Sequence, residues 1–364
     1  MEKFKNVIRF CETAPEFSVA MQDYFNNVQA TERKVEGLQF AAERSLKEKE
    51  TAINKLFCDE LGKRSGMPVP TDIDDARRYS TNQTVLYFAN EIIDNTIDMI
   101  LPDSLISSLG YIADIRFGGY LDSFSFDLEN NALFSVNKSG RRQRNVPAQV
   151  LEDTTVTLAP QNREVTVKMT LPEILVSRKS IATYLMKVMR SIEARMFYDV
   201  YDGFAATMDA VSATALTASS YTENTLISMC ETVGAWNQGR KAVVLGTPVA
   251  LKSVLPSSTD MRILLNDDYV RVGYLRNFNG YDVIMTPQVA DYTSTAYGLK
   301  LKDNRLYVVS PASDKIVKVA VGGQTLSNTS GAYDKANLSM FGTVTKSWDV
   351  ATATNSVAGV IKLA

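Results

Sequence analysis

The 364-residue chain contains no histidine. Without imidazole it cannot build a Ser-His-Asp triad, a Cys-His pair, an HExxH zinc site or any His-ligated metal centre, so most hydrolase and metalloenzyme mechanisms are excluded. Few candidate residues for chemistry remain. Cys11, Cys58 and Cys230 are odd in number, far apart and without a CxxC pair, which reads as three reduced structural thiols rather than a disulfide framework or a thiolate metal site. The stretch GTPVALKS (Gly246 to Ser253) comes nearest to a phosphate loop. Leu251, however, stands where a glycine must let backbone amides close on phosphates, so the segment reads as a strand, a turn and a helix start. Asp74 with Asp75, and Asp267 with Asp268, could hold a hard cation or do acid-base work, but adjacent carboxylates in polar segments are ordinarily solvated turn residues. No catalytic residue, metal site or cofactor is expected.

One charged cluster stands out: Lys138, Arg141, Arg142 and Arg144 in SVNKSGRRQRNVP. It can be a solvated loop, a contact with an acidic patch on a neighbouring subunit, or a nucleic-acid contact. The third reading is disfavoured because no aromatic lies among the charges to stack on bases. Globally, 39 Lys and Arg against 41 Asp and Glu give a formal charge of -2, so no overall basic field exists to hold nucleic acid by counterion release. The 45% apolar share suits a folded chain with a sizeable core, about two domains at this length. MEKFKNVIRFCETAPEF breaks its apolar patches with Lys5, Arg9 and Glu12, so it lacks a secretory core, and no run approaches the ~20 apolar residues of a membrane span. A chain made and folded in a cytoplasm is expected.

The elements that must carry these residues can be read from periodicity. Thr31 to Lys63 is rich in helix formers with a narrow apolar stripe (Val35, Leu38, Ala42, Leu46, Ile53, Leu56, Leu61), which predicts a helix mostly solvated or paired with another. GKRSGMPVP then reads as a linker between an N-terminal helical segment and the main body. Gln83 to Leu101 is predicted helical, with Leu86, Ile93, Ile97 and Ile100 on one face and Pro102 as its stop. From Gly118 to Pro172 the chain reads as an extended excursion: Phe124, Phe126 and Leu128 alternate with polar residues, as do Val165, Val167, Met169 and Leu171 later. The basic cluster lies between them, at a loop tip. Ser177 is the predicted N-cap of a helix to about Ala210, with Ile181, Leu185, Val188, Ile192, Met196 and Val200 at three- and four-residue steps. Asn224 to Trp236 (helix), Ala242 to Leu245 (strand), Pro248 to Val254 (helix), Asp282 to Met285 and Leu306 to Ser310 (strands) predict a compact α/β module. Past Ile316 the chain reads as β and should return to the long helix. An apolar-faced excursion beside so long a helix implies a chain that finds partners in its own copies.

This order of elements resembles the major capsid proteins of tailed bacteriophages with the HK97-like fold, over roughly Val85 to Ala364. FANEIIDNTIDMILPDSL is similar to the end of an N-terminal arm, RKAVVLGTPVALKSVL and GYLRNFNGYDVIMTPQ to axial-domain segments, and FGTVTKSWDVATATNSVAGVIKL to closing peripheral strands. The resemblance implies an α+β fold. Its parts would be an N-terminal helical segment (1–70), an N-terminal arm (71–117), an E-loop (118–172), a peripheral domain with a spine helix (173–222 and 316–364) and an α/β axial domain (223–315). The implied function is structural, with self-assembly through pentamers and hexamers into an icosahedral virion shell that contains double-stranded DNA, in a host cytoplasm. It needs no cofactor or membrane, and scaffolding, portal and decoration proteins are possible partners. The helix Thr31 to Lys63 would control assembly and not the fold of the body, so deletion of the residues before Thr71 would leave a folded body with altered particle size or yield. Some members weld subunits through an E-loop lysine and a peripheral asparagine with a glutamate as proton acceptor. Lys138 and Asn355 match the first two, but no Glu follows Glu231 and Asp349 is a shorter substitute, so a non-covalent contact through Lys138, Arg141, Arg142 and Arg144 is expected. An encapsulin-type compartment shell shares the fold and is the alternative; an enzyme using only carboxylates, Lys or Tyr is a further one.

Overall fold

In the computed structural model, the described residues are 16–33, 46–119, 122–128, 136, 154–169, 171–258, 269, 272–291, 297–312, 314–329 and 340–363. Four helices open the chain: α1 (Glu16–Arg33), α2 (Leu46–Ser65), α3 (Ile73–Tyr79) and α4 (Gln83–Leu109). Next come β1 (Ala113–Gly118), β2 (Phe124–Leu128), β3 (Thr154–Leu158), β4 (Gln161–Met169), α5 (Leu171–Leu175) and the long α6 (Ile181–Asp209). A second module holds β5 (Thr217–Ala218), α7 (Glu223–Trp236), β6 (Val243–Gly246), α8 (Pro248–Leu251), β7 (Asn277–Phe278), β8 (Tyr281–Met285) and β9 (Arg305–Val309). The chain then returns through β10 (Val317–Thr329) and β11 (Met340–Thr352) and closes with β12 (Gly359–Lys362). Among the described residues no helix is long and apolar enough to cross a membrane.

Two sheets organise this α+β fold. One has the order β1-β10-β11-β4, with β1 parallel to β10 and the other pairs antiparallel. The second has the order β5-β12-β9-β6-β8-β7. A separate ribbon pairs β2 with β3, from Phe124 opposite Leu158 to Leu128 opposite Thr154. The long helix α6 lies between the sheets. Its Ile181, Leu185, Val188, Ile192, Met196 and Val200 are all buried, as the three- and four-residue spacing requires. One continuous core joins α1, α2, α4 and α6 to Val319, Val321 and Trp348 of the first sheet and to Val243, Leu245 and Tyr307 of the second. The other face of the second sheet has its own core under α7 and α8.

Several expectations from the sequence are corrected. A helix unforeseen in the sequence, α1, buries Phe17, Met21, Tyr24 and Phe25 at three- and four-residue steps. The predicted Thr31 to Lys63 helix corresponds over its described part to the end of α1 and to α2, residues 34–45 lying outside the described residues. Packing does not set this segment apart from the body. Phe17, Ile53, Phe57 and Leu61 sit in the main core, and Asn54 accepts from the Ile181 N–H (2.8 Å) while donating to the Lys179 carbonyl (3.1 Å). GKRSGMPVP does end α2, at Ser65, but it does not separate the segment from the body, because the apolar face of α2 is buried in the main core. Pro102 does not stop α4, which runs to Leu109. A proline inside a helix loses one hydrogen bond, and here the buried Leu101, Ser104, Leu105 and Leu109 carry the helix across it. The N-cap of α6 is Ser180, accepting from the Thr183 N–H, whereas Ser177 takes a left-handed turn conformation (φ 57°).

The excursion is also smaller than the expected 118–172. β4 belongs to the first sheet, paired with β11 from Gln161 opposite Trp348 to Met169 opposite Met340, and Leu171 starts α5. Finally, β12 does not close the first sheet. It pairs with β9 and β5 in the second, so the C-terminal segment is shared between the two modules.

Candidate assembly surfaces

The excursion leaves the first sheet after β1 and returns at β4, and its root is fixed by several independent contacts. Phe126 and Leu158, on the inner face of the ribbon, are buried against Ala320 of β10, with Ala351 beside them. Arg116 stacks over the Phe126 ring at 4.3 Å and donates to the Ser125 carbonyl at 2.6 Å. The side-chain amide of Asn355 donates to the Leu128 carbonyl at 3.1 Å, tying the outgoing strand to the C-terminal segment. Gly322 lies flat beneath the returning chain. A Cβ there would meet Pro160 at 2.8 Å, inside the contact limit. Thus the apolar face at the root has a partner within the chain, contrary to the expectation that it finds none. Phe126 and the two alanines it meets, Ala320 and Ala351, carry that signal from separate segments, which a single-segment reading does not detect.

Lys318 is buried beneath this root, 2% exposed, and forms an ion pair with Asp314. The Asp314 carbonyl accepts from the hydroxyls of Thr354 (3.2 Å) and Ser356 (2.7 Å). This pins the turn before β10 to the segment after β11. Burying an ion pair is favourable only when its remaining valences are satisfied, so the site fixes position.

The spine helix α6 connects both modules. Towards the first sheet, Asp199 accepts from the Trp348 indole N–H (3.0 Å), Arg163 (2.9 Å) and Arg195 (3.2 Å), joining α6 to β11 and β4. Arg163 also stacks over Trp348 at 4.8 Å. Towards the second module, Asp209 receives Lys302 (2.5 Å) and Arg305 (3.2 Å), Lys300 pairs with Asp202, and the Phe204 and Tyr307 rings meet edge to face at 4.9 Å. Burial pushes the Asp209 carboxyl up, but the hydrogen bonds and charges of Lys302 and Arg305 outweigh it and hold the group below its ordinary range.

The predicted site residues fall as follows. Lys138, Arg141, Arg142 and Arg144 lie outside the described residues, as do Cys11, Asp267 and Asp268. Asn355 is at the excursion root, its amide engaged with Leu128 and its N–H directed at Asp314. Asp349 caps its own neighbour, accepting from the Val350 N–H at 2.9 Å. Asp74 is exposed in the first turn of α3 and pairs with Arg77. GTPVALKS is a strand, a Thr247 N-cap and the short α8, with Leu251 fully buried. Burial pushes the Cys58 thiol up to about 11 and the Cys230 thiol up to about 12, so both stay protonated and inert at neutral pH. At the carboxyl ends of the adjacent parallel strands β6 and β8, Val249 and Met285 expose apolar side chains.

No protein-family model matches the chain, and no curated protein does. Solved structures with similar folds include the capsid of a native GTA particle, 13% identical over 71% of this chain and 90% of that one (TM-score 0.49). The mature capsid of bacteriophage PhiM1 is 11% identical over 70% and 87% (TM-score 0.48). A virus-like particle from Pyrococcus furiosus is 11% identical over 73% and 98% (TM-score 0.40).

Proposed function

We propose that the chain is a shell-forming structural protein, the major capsid protein of a tailed phage, and that its copies close an icosahedral shell around double-stranded DNA. The observation that carries this reading is the mechanical layout of one subunit. A helix of 29 residues is locked by Asp199 to one sheet and by Asp209 to the other, while a ribbon clamped at its root leaves the first sheet between Gly118 and Gln161. At 1.5 Å per residue the helix spans about 43 Å. A rigid beam joining two modules, with an inserted ribbon, suits a subunit that must hold its neighbours at fixed angles; contacts of a few kcal/mol each become cooperative on closure. Under this reading the first sheet with α6 is the peripheral domain and the ribbon is the E-loop. The second sheet is the axial domain, with Val249 and Met285 available for contacts at a capsomer centre.

The basic cluster Lys138, Arg141, Arg142 and Arg144 is then a non-covalent contact to acidic groups of an adjacent subunit. The engagement of Asn355 with Leu128 in its own chain supports a non-covalent shell. Electron microscopy of the purified protein tests the main reading: shells of several hundred copies are expected, a small compartment would favour an encapsulin-type shell, and a strictly monomeric protein across salt and concentration would overturn it. Replacing all four basic residues with Ala should weaken particles without unfolding subunits. Denaturing electrophoresis of mature particles should show monomers; a boiling-resistant ladder of oligomers would refute the non-covalent contact.

A further inference from the structure

The interface between α4 and the outer half of β10 carries a polar ladder in an otherwise apolar core. Asn90, Asp94 and Asp98 recur every four residues on α4, a step of about 6 Å. Thr325, Ser327 and Thr329 recur every two residues on β10, a step of about 6.7 Å, so the two rows stay in register. Asp98 accepts from the Thr325 N–H (2.9 Å) and hydroxyl (2.5 Å), the Ser327 hydroxyl donates to the Asn90 carbonyl (3.1 Å), and Thr329 donates to the Asn90 side chain (2.7 Å). This half of β10 lies beyond a bulge at Gly322 to Leu326, where Gly323 takes φ 69° and the strand leaves its β1 partner. It is therefore held by β11 on one side and by this ladder on its face.

The charges in the ladder do not balance. Two carboxylates face one cation, Lys346 of β11, and Lys346 donates to Asp98 at 2.7 Å and to the Gly323 carbonyl at 2.9 Å. Asp94 Oδ1 is enclosed with no hydrogen-bond partner among the described residues. The groups that act on Asp94 are Asp98 on its own helix, Lys346 on β11 and Ser327 on β10. Among the described residues, the polar and charged groups that α1, α2 and α6 bring to α4 include Ser18 with Thr96, Gln22 with Asp103, Arg64 with Glu91, and Glu193 with Ser104, each engaged away from Asp94.

We propose that Asp94 makes the seating of β10 on α4 depend on a proton: the carboxyl is neutral while Gly323 to Thr329 is seated, and losing its proton loosens that segment from the helix. Burial, opposed by Ser327, reinforced by Asp98 and opposed again by Lys346, pushes the carboxyl up to about 7. A carboxyl raised in the seated state binds its proton more tightly there. Seating is thus strongest below the ordinary carboxylate range, weakens as pH rises towards about 7, and levels off above it. The inference is independent of whether copies of the chain form a shell.

The test is hydrogen exchange on the full-length chain at pH 5 and pH 8, corrected for intrinsic rates. In the wild type, protection of Gly323 to Thr329 should fall by up to ~100-fold at pH 8, the size of a two-unit titration. Asp94→Asn, an isostere of the neutral carboxyl, should keep protection at both pH values. Asp98→Asn should also flatten the pH dependence, because it frees Lys346 to pair with Asp94. Equal pH dependence in wild type and Asp94→Asn would overturn the proposal. So would failure of Asp94→Asn to fold, since a neutral side chain of the same shape must be tolerated if the seated carboxyl is neutral.

Discussion

Phe57→Ala separates an N-terminal segment that belongs to the body from one that hangs beside it. Phe57 is completely buried on α2, its ring 5.5 Å from that of Phe17 on α1, in the same core as α4 and α6. Truncating a fully buried Phe to Ala costs about 3–5 kcal/mol through lost transfer free energy and the cavity left behind. Against a total of roughly 5–15 kcal/mol for a domain, that is a large fraction, and it should lower the thermal midpoint of the protein by on the order of 10 °C. The control is Lys55→Ala on the exposed side of the same helix, which should change stability by less than about 0.5 kcal/mol. Thermal and urea melts followed by circular dichroism, reporting on α4 and α6 as well as α2, measure both. A double-mutant cycle of Phe17→Ala with Phe57→Ala should return a coupling of about 0.5–1.5 kcal/mol. If Phe57→Ala melts the body at the wild-type temperature, or if deletion of residues 1–70 leaves a cooperative melt, α1 and α2 are not part of the core and the packing argument is wrong.

Tyr201 is fully buried on α6 and its hydroxyl has no hydrogen-bond partner among the described residues, so Tyr201→Phe removes a desolvated group at no loss of contact; a gain of about 1 kcal/mol in urea denaturation is expected, and a clear loss would reveal a partner for the hydroxyl. Asp199→Ala strands the Trp348 indole N–H and the Arg163 guanidinium, and should cost about 2–4 kcal/mol, with Asp199→Asn falling between. Equal melts for wild type and Asp199→Ala would show that this junction does not hold the spine. Asp209 is held below its ordinary range by Lys302 and Arg305, so its contribution is present above the free carboxylate range and is lost as pH falls through the folded value. Asp209→Asn should therefore destabilise the subunit at pH 7 and make little difference near pH 2, as read by melts at both.

Local pattern determined most of the elements. The three- and four-residue spacing from Ile181 to Val200 specified α6, and the alternation of Val165 and Val167 with polar residues specified β4, because each signal is contained within its own segment. The absence of histidine alone excluded whole classes of catalytic site. What a segment packs against was another matter. β4 reads like one arm of a hairpin with β2, yet it pairs with β11, some 170 residues later in sequence; a period of two specifies a buried face and is silent about the partner. Pro102 and the glycine- and proline-rich stretch at 62–70 are local breakers: tertiary burial carried α4 through the proline, whereas the stretch at 62–70 does end α2, at Ser65, but without setting it apart from the main core. The ladder of Asn90, Asp94 and Asp98 shows the same division. Its four-residue step was present in the sequence, but the matching row on β10 and the lysine that pairs with Asp98 beside Asp94 exist only once residues more than 200 positions apart are brought together.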